Sequence, residues 1–211
     1  MKVYASHTPR AKAIFDLLYQ SAEGIQDVEV ISCPFEGNSD GMWGETGTDE
    51  YQYLMIQRWN LLPTIIRENI GSNIVWLDVD CVFNSNNKTF APTINSLLEQ
   101  HDFAFHYDSN SALSRHINTG IMAIKCSKKT LAVTEKWIDI ILNMTPEARR
   151  GIGCLAQWND IFSNYPEHEA TYCILPQDFG YRTSNCVIYH AIGVQDKITH
   201  LNDALNSFQQ G

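Results

Sequence analysis

Residues 73–77, NIVWL, form a run of strand length with no polar face. A half-exposed strand alternates apolar and polar residues, so a run without alternation has to be covered on both sides, as a central strand of a parallel sheet is. The flanking sequence supplies the cover. KVYAS reads as a strand, TPRAKAIFDLLYQSAE as a helix with Pro9 in its first turn and Ile14, Leu17 and Leu18 on one face, and DVEVISCPF as a second strand. The chain therefore opens as a βαβ unit. A long helix is predicted from about Glu50 to Glu68, just ahead of NIVWL. Beyond that run come a helix near 91–100, strands in DFAFHYD and GIMAIK, and helices over KKTLAVTEKWIDIILNM and CLAQWNDIFSNY. A short strand in YCILP, a strand in NCVIYHA and a helix from about Asp196 close the chain. The alternation predicts an α/β fold with a mixed, mostly parallel central sheet flanked by helices, its irregular pairing in the second half. With no repeat or linker, residues 1–211 read as a single domain, long enough to bury roughly 70% of its unfolded surface. The abrupt end in NSFQQG leaves open that it is one domain of a longer protein.

Asp78 arrives where the apolar run stops, and Asp80 follows one residue later. Open α/β sheets bind ligands at the carboxyl ends of their strands. In an extended chain the two carboxylates point to the same side, about 6.6 Å apart at roughly 3.3 Å per residue. Like charges in a crevice repel unless a cation lies between them, and a divalent metal is such a cation. Asp-x-Asp alone reads equally as a turn in which one carboxylate caps a helix and the other is solvated. NCVIYHAIG adds weight to the metal reading, because a second apolar run delivers His190 at its end. Asp78, Asp80 and His190 make a carboxylate and imidazole set suited to Mn²⁺, or to Mg²⁺. His7, at the end of the first strand, is a candidate to line the same crevice, whereas His101, His106, His116, His168 and His200 have no motif around them.

The net charge of −9 argues against broad binding of nucleic acid, which needs clustered cations to neutralise phosphates. An anionic ligand would need a local device such as a metal. No apolar run approaches the length of a membrane span, and MKVYASHTPR is too short and polar for a secretory signal. Six cysteines without a CxxC pair read as small core residues in a reducing compartment, so a soluble, cytoplasmic protein is expected.

In order along the chain, VYASHTP, LDVDCVF, INTGIMAIK, LPQDFGY and YHAIG resemble the matching segments of GT-A glycosyltransferases, the nucleotide-diphospho-sugar transferases. Asp-x-Asp is common by itself; the ordered combination is specific and spans nearly the whole chain. The resemblance implies a Rossmann-like GT-A fold and a UDP-sugar donor bound through a divalent cation on the two aspartates and the histidine. It extends to small viral members of the family, which implies a glycan acceptor on a viral capsid glycoprotein and a place in the host cytoplasm. Donor contacts are expected at Ser6, His7 and Thr8, where the first strand exits towards base and ribose, although Thr8 and Pro9 are also an ordinary helix start. Val79, Asp108 and Gly193 complete the donor side. The resemblance places Arg58 on the nucleotide and Asn118 and Thr119 on the donor sugar. Arg58 reads alternatively as a surface partner of a nearby Glu, and Asn118 and Gly120 as plain turn formers. Lys197, seven residues after His190, is either a further phosphate contact or a solvated lysine.

At the reacting carbon the candidates are Asp160, Gln177 and Asp178, with Asp108 nearby. Related retaining enzymes carry an Asp-Gln pair on the helix corresponding to CLAQWNDIFSN, where this chain has Trp158 and Asn159 beside Asp160. That departure weakens the case for a covalent nucleophile, and retention rests on the resemblance. The stretch from Gly37 to Asp49, with GMWGE at its core, reads as a lid over donor or acceptor, or as a surface loop with a docked Trp43. Two rivals remain. LDVDCVF also resembles the first motif of haloacid-dehalogenase phosphohydrolases, but here about a third of the chain precedes it and no later acidic pair is evident. The other rival is a non-catalytic nucleotide-sugar-binding module.

Overall fold

Strand β1 (Lys2–His7) is buried from Val3 onward and lies between two parallel neighbours, β2 (Glu29–Pro34) and β3 (Asn73–Asp78). This is seen in a computed structural model that describes residues 1–37, 49–86, 88–107, 117–145, 147, 162, 169–180, 186–191 and 196–209. A 3₁₀ turn at Pro9–Ala11 leads into helix α1 (Lys12–Ser21), which connects β1 to β2 as the predicted βαβ unit. Thr8 precedes the turn in extended conformation without a side-chain cap bond; Ala11 N donates to its carbonyl at 3.0 Å.

The main sheet adds β5 (Phe103–Tyr107), β6 (Ile117–Lys125) and β7 (Tyr172–Ile174), in the order β2-β1-β3-β6-β5-β7. Only β6 runs against its neighbours, so the sheet is mixed and mostly parallel. NIVWL is thus parallel to β1 but antiparallel to β6, a departure from the fully parallel setting expected of it. Continuous burial requires cover on both faces and is indifferent to the direction of the neighbour.

That cover comes from helices α2 (Asp49–Glu68) and α4 (Lys128–Asn143) on one side, and α1, α3 (Phe90–Gln100) and α5 (Lys197–Gln209) on the other. Period-2 alternation sends Ile74 and Trp76 to the first side, where they meet Trp59, Leu62 and Trp137; Val75 and Leu77 go to the second, with Ile14, Leu18, Ile94 and Leu201. Trp59 and Trp137 meet edge to face, centroids 4.7 Å apart. Among the described cysteines Cys33, Cys81, Cys126, Cys173 and Cys186 are free thiols, and no described helix is long and apolar enough to cross a membrane.

Two local expectations change. LDVDCVF is not one extended stretch: β3 ends at Asp78, Val79 and Asp80 turn, and β4 (Cys81–Phe83) pairs antiparallel with β8 (Ile188–His190) as a separate two-stranded ribbon. The simple two-residue spacing between Asp78 and Asp80 therefore does not hold. Strand β6 begins at Ile117, so Asn118 and Thr119 lie within it rather than ahead of it. The helix expected over CLAQWNDIFSNY, apart from Phe162, and the stretch between Gly37 and Asp49 lie outside the described residues.

Candidate functional site

Alternation along β3 carries Asp78 to the face that holds Trp76, under helix α2. Arg58 of α2 is buried there; its guanidinium lies over the rings of Trp59 and Trp76, 4.4 and 5.4 Å from their centroids. It donates through Nε to Ser6 Oγ at 3.0 Å and through Nη2 to Asp78 Oδ1. Ser6 is the register partner of Asp78 across β1 and β3, which brings the three groups together. The alternative of Arg58 as an exposed partner of a glutamate is thereby corrected: an arginine stacked on two tryptophans and bonded to β1 and β3 belongs to the interior.

Asp80 is fixed from the other direction. Its carbonyl accepts from Ala191 N at 2.9 Å, and Cys81 is in register with His190, so the ribbon lays His190 beside the turn. His190 Nε2 stands 3.5 Å from Asp78 Oδ2 and 3.3 Å from Asp80 Oδ1. Lys197, in the first turn of α5, donates to Asp80 Oδ2 and to the Ala191 carbonyl at 2.8 Å. It is buried, which overturns the solvated reading. A cation at a helix N-terminus opposes the helix dipole, so a buried carboxylate is the compensating partner.

Two carboxylates thus share three basic groups. Burial alone would raise the Asp78 carboxyl, but the charges of Arg58 and His190 outweigh it and hold the group well below the usual range. For Asp80, burial and the Asp78 charge are outweighed by His190 and Lys197, again lowering it. Burial works against a charged His190, yet Asp80 and Asp78 push its imidazole up to about 9. At neutral pH the imidazolium bridges the pair.

Asp80, Cys81 and His190 present ligand atoms within 4.8 Å of one another. Burial, with the two nearby carboxylates, drives the Cys81 thiol well above its ordinary value, and sulfur is a soft donor poorly matched to Mn²⁺ or Mg²⁺. Asp78 lies outside that cluster, with its Oδ2 3.5 Å from the same His190 nitrogen. His190 Nε2 already faces both carboxylates, and the oxygen and nitrogen donors suit Mn²⁺.

The remaining candidates divide. Ser6 is committed to Arg58, and His7 bonds Ser32 Oγ at 2.8 Å and the Thr8 carbonyl at 3.1 Å while stacking on Phe15. Thr8 is buried beside them. The Val79 side chain is fully buried among the apolar residues on the α1 side of the sheet, leaving only its backbone for a ligand. Asn118 and Thr119 are buried at the start of β6, which runs beside the end of β3. Gln177 and Asp178 are exposed on a turn tied to the ribbon strand, Val187 N donating to the Asp178 carbonyl at 2.8 Å; neither side chain bonds the described site residues. Asp108, Asp160 and Gly193 lie outside the described residues. His106 was passed over in the sequence, yet its ring centroid is 6.2 Å from that of His190 and it packs on Gly180. Its place at the end of the run FAFH is the same signal that marked Asp78.

The sequence pattern of the nucleotide-diphospho-sugar transferase family matches residues 29–149, more than half of the chain and inclusive of Arg58, Asp78, Asp80 and Gly120. The chain belongs to that family. No curated protein matches this transferase by sequence. Its fold is similar to that of a glycosyltransferase involved in the glycosylation of the major capsid of PBCV-1, with a TM-score of 0.60 at 15% identity over 96% of this chain and 98% of the other. It is also similar to GlyE of Streptococcus pneumoniae TIGR4, with a TM-score of 0.62 at 12% identity over 99% of this chain and 62% of that one. For the galactosyltransferase LgtC, solved with donor and acceptor sugar analogues, the TM-score is 0.56 at 10% identity over 98% and 96% of the two chains. The transferase has the GT-A fold. The haloacid-dehalogenase reading of LDVDCVF falls with this assignment.

Proposed function

We propose that this chain transfers a hexose or deoxyhexose from a UDP-sugar to a glycan or protein-linked acceptor, depends on Mn²⁺ or Mg²⁺, and retains the anomeric configuration. The observation that carries the reading is the convergence of His190 Nε2 on Asp78 and Asp80 at the carboxyl end of β3. A divalent cation bound by these three side chains would neutralise the charge developing on the diphosphate leaving group as a Lewis acid.

The chain's own residues prepare for that ligand. Arg58 orients Asp78, and Lys197 orients Asp80, each by donating to one carboxylate oxygen. Ser6, His7 and Thr8 at the exit of β1 line the side towards nucleoside, with Val79, Asp108 and Gly193 contributing to the donor cradle. Asn118 and Thr119 face the donor sugar, and Asp160, Gln177 and Asp178 are the candidates at the reacting carbon. Retention is supported by family likeness: the leaving phosphate itself deprotonates the acceptor on the same face, and no protein carboxylate is then required. A hexose donor takes support from the galactosyltransferase named above, and a capsid glycoprotein acceptor from the PBCV-1 enzyme.

The test is donor hydrolysis and transfer across UDP-glucose, UDP-galactose and UDP-rhamnose, with Mn²⁺, with Mg²⁺ and in chelator. Metal-dependent turnover of one donor supports the proposal. Metal-dependent UDP binding without turnover of any would make the chain a binding module.

A further inference from the structure

Strand β6 contains a glycine whose backbone does not need one. Gly120 lies inside Ile117–Lys125, buried, and its φ is outside the left-handed region, unlike that of Gly180 at +89° or Gly71 at +91°. A glycine within a strand costs roughly 0.5–1 kcal/mol relative to alanine, so its presence calls for a packing reason. The reason lies across the crevice. A Cβ built on Gly120 would stand 2.1 Å from His190 Cε1 and 2.9 Å from His190 Nδ1, separations that real Cβ atoms do not show. The Nδ1–Cε1 edge of the imidazole, whose Cε1 is bonded to Nε2, occupies the volume that any other residue's side chain would fill.

The local backbone is shaped to the same end. Pairing between β5 and β6 passes from Phe105↔Met122 to His106↔Asn118, so three residues of β6, Thr119 to Ile121, are passed over by a single step of β5. Gly120 is the middle one. Its N–H is taken by Asn118 Oδ1 at 2.7 Å, a bond within the bulge that replaces cross-strand pairing. The same Oδ1 would lie 2.9 Å from an added Cβ, so the pocket is closed on both sides.

We propose that Gly120 is a positioning residue: the missing side chain seats the His190 imidazole, and thereby aims Nε2 at Asp78 and Asp80. This rests on the reading of His190 as a metal ligand given above, but the steric half of the argument stands without it. His190 is buried and pinned to the ribbon through β4, so it has little freedom to yield to a methyl group. Moving the ring moves the ligand nitrogen.

The experiment is a double-mutant cycle of Gly120→Ala and His190→Ala, with Gly24→Ala, where a Cβ would meet nothing within 4 Å, as comparison. Thermal midpoints are measured in chelator, and Mn²⁺ binding is measured by the loss of the free-ion EPR signal with UDP present. Gly120→Ala is expected to lower the midpoint, and to lower it less or not at all when His190 is alanine, because the clash has been removed. It is also expected to weaken Mn²⁺ binding about 10–100-fold, the range for groups that orient a ligand, with no further loss on adding it to His190→Ala. Gly24→Ala changes neither. Equal midpoint losses in both backgrounds, or wild-type Mn²⁺ affinity in a folded Gly120→Ala protein, overturn the proposal. If wild type itself binds no Mn²⁺ with UDP, the metal reading fails instead, and the midpoint cycle alone decides whether Gly120 seats His190. Should Gly120→Ala alone fail to fold, recovery of folding in the double variant supports the seat and its absence overturns it.

Discussion

Lys197 donates to Asp80 Oδ2 across 117 residues of sequence, and both side chains are buried. Removing one partner of a buried pair leaves the other charge uncompensated, which costs about 3–5 kcal/mol. Lys197→Met, which keeps the apolar stem, is expected to destabilise the metal-free protein by about that amount in urea unfolding. A loss below about 1 kcal/mol would show that Asp80 is satisfied by His190 and solvent alone.

The pH dependence follows from His190. Its folded value of about 9 lies above the ordinary 6.5, so its stabilising contribution is fully present below pH 6.5 and is lost as pH rises through about 9. Asp78 and Asp80 are lowered, so their contribution is present above the ordinary 3.8 and disappears as pH falls towards their depressed folded values. Unfolding free energy in chelator should therefore decline between pH 6.5 and 9 and again in acid. His190→Gln should flatten the alkaline decline; an unchanged alkaline slope in that variant would assign it to another group.

Metal has to displace the His190 proton, so Mn²⁺ affinity should rise with pH by up to about tenfold per unit between pH 6 and 8, read by calorimetry with proton release in buffers of different ionisation enthalpy. Binding without proton uptake by the buffer would mean that His190 is not the ligand.

UDP and Mn²⁺ should bind with positive coupling of about 1–3 kcal/mol, and each should tighten the other by the same factor. Asp80→Asn should abolish that linkage while leaving metal-free UDP binding near wild type. Titrating UDP at several fixed Mn²⁺ concentrations decides this: an affinity that stays flat from chelator to saturating metal would remove the cation from the site. Neither Asp80→Asn nor His190→Ala is neutral for the fold, because both residues are buried and ion-paired, so each needs its own unfolding curve.

Arg58→Lys tests positioning at Asp78. A lysine cannot donate at once to Ser6 and Asp78 from a planar group stacked on Trp59. Mn²⁺-dependent UDP affinity is expected to fall about tenfold, with a smaller loss of stability than in Arg58→Ala. Equal behaviour of Lys and wild type would reduce Arg58 to a simple counter-charge.

Most elements were legible because they rest on local patterns. NIVWL had to be an interior strand, and the apolar stripe Ile14–Leu18 had to face a sheet, since burial periodicity is written in a few consecutive residues. The candidate ligands could be proposed for the same reason: Asp78 and His190 are the polar residues on which apolar strands end, although the family pattern covers Asp78 and stops at residue 149. What the sequence could not determine were relations between distant segments. That β6 runs antiparallel to β3, that β4 leaves the sheet to join β8, and that Arg58 and Lys197 are buried against the two aspartates depend on pairings across tens to more than a hundred residues. Local propensity carries no term for those pairings. Gly120 marks the boundary most sharply: in sequence it is an ordinary turn former, and only the tertiary fold, by setting an imidazole where its side chain would be, turns the lack of a Cβ into a requirement.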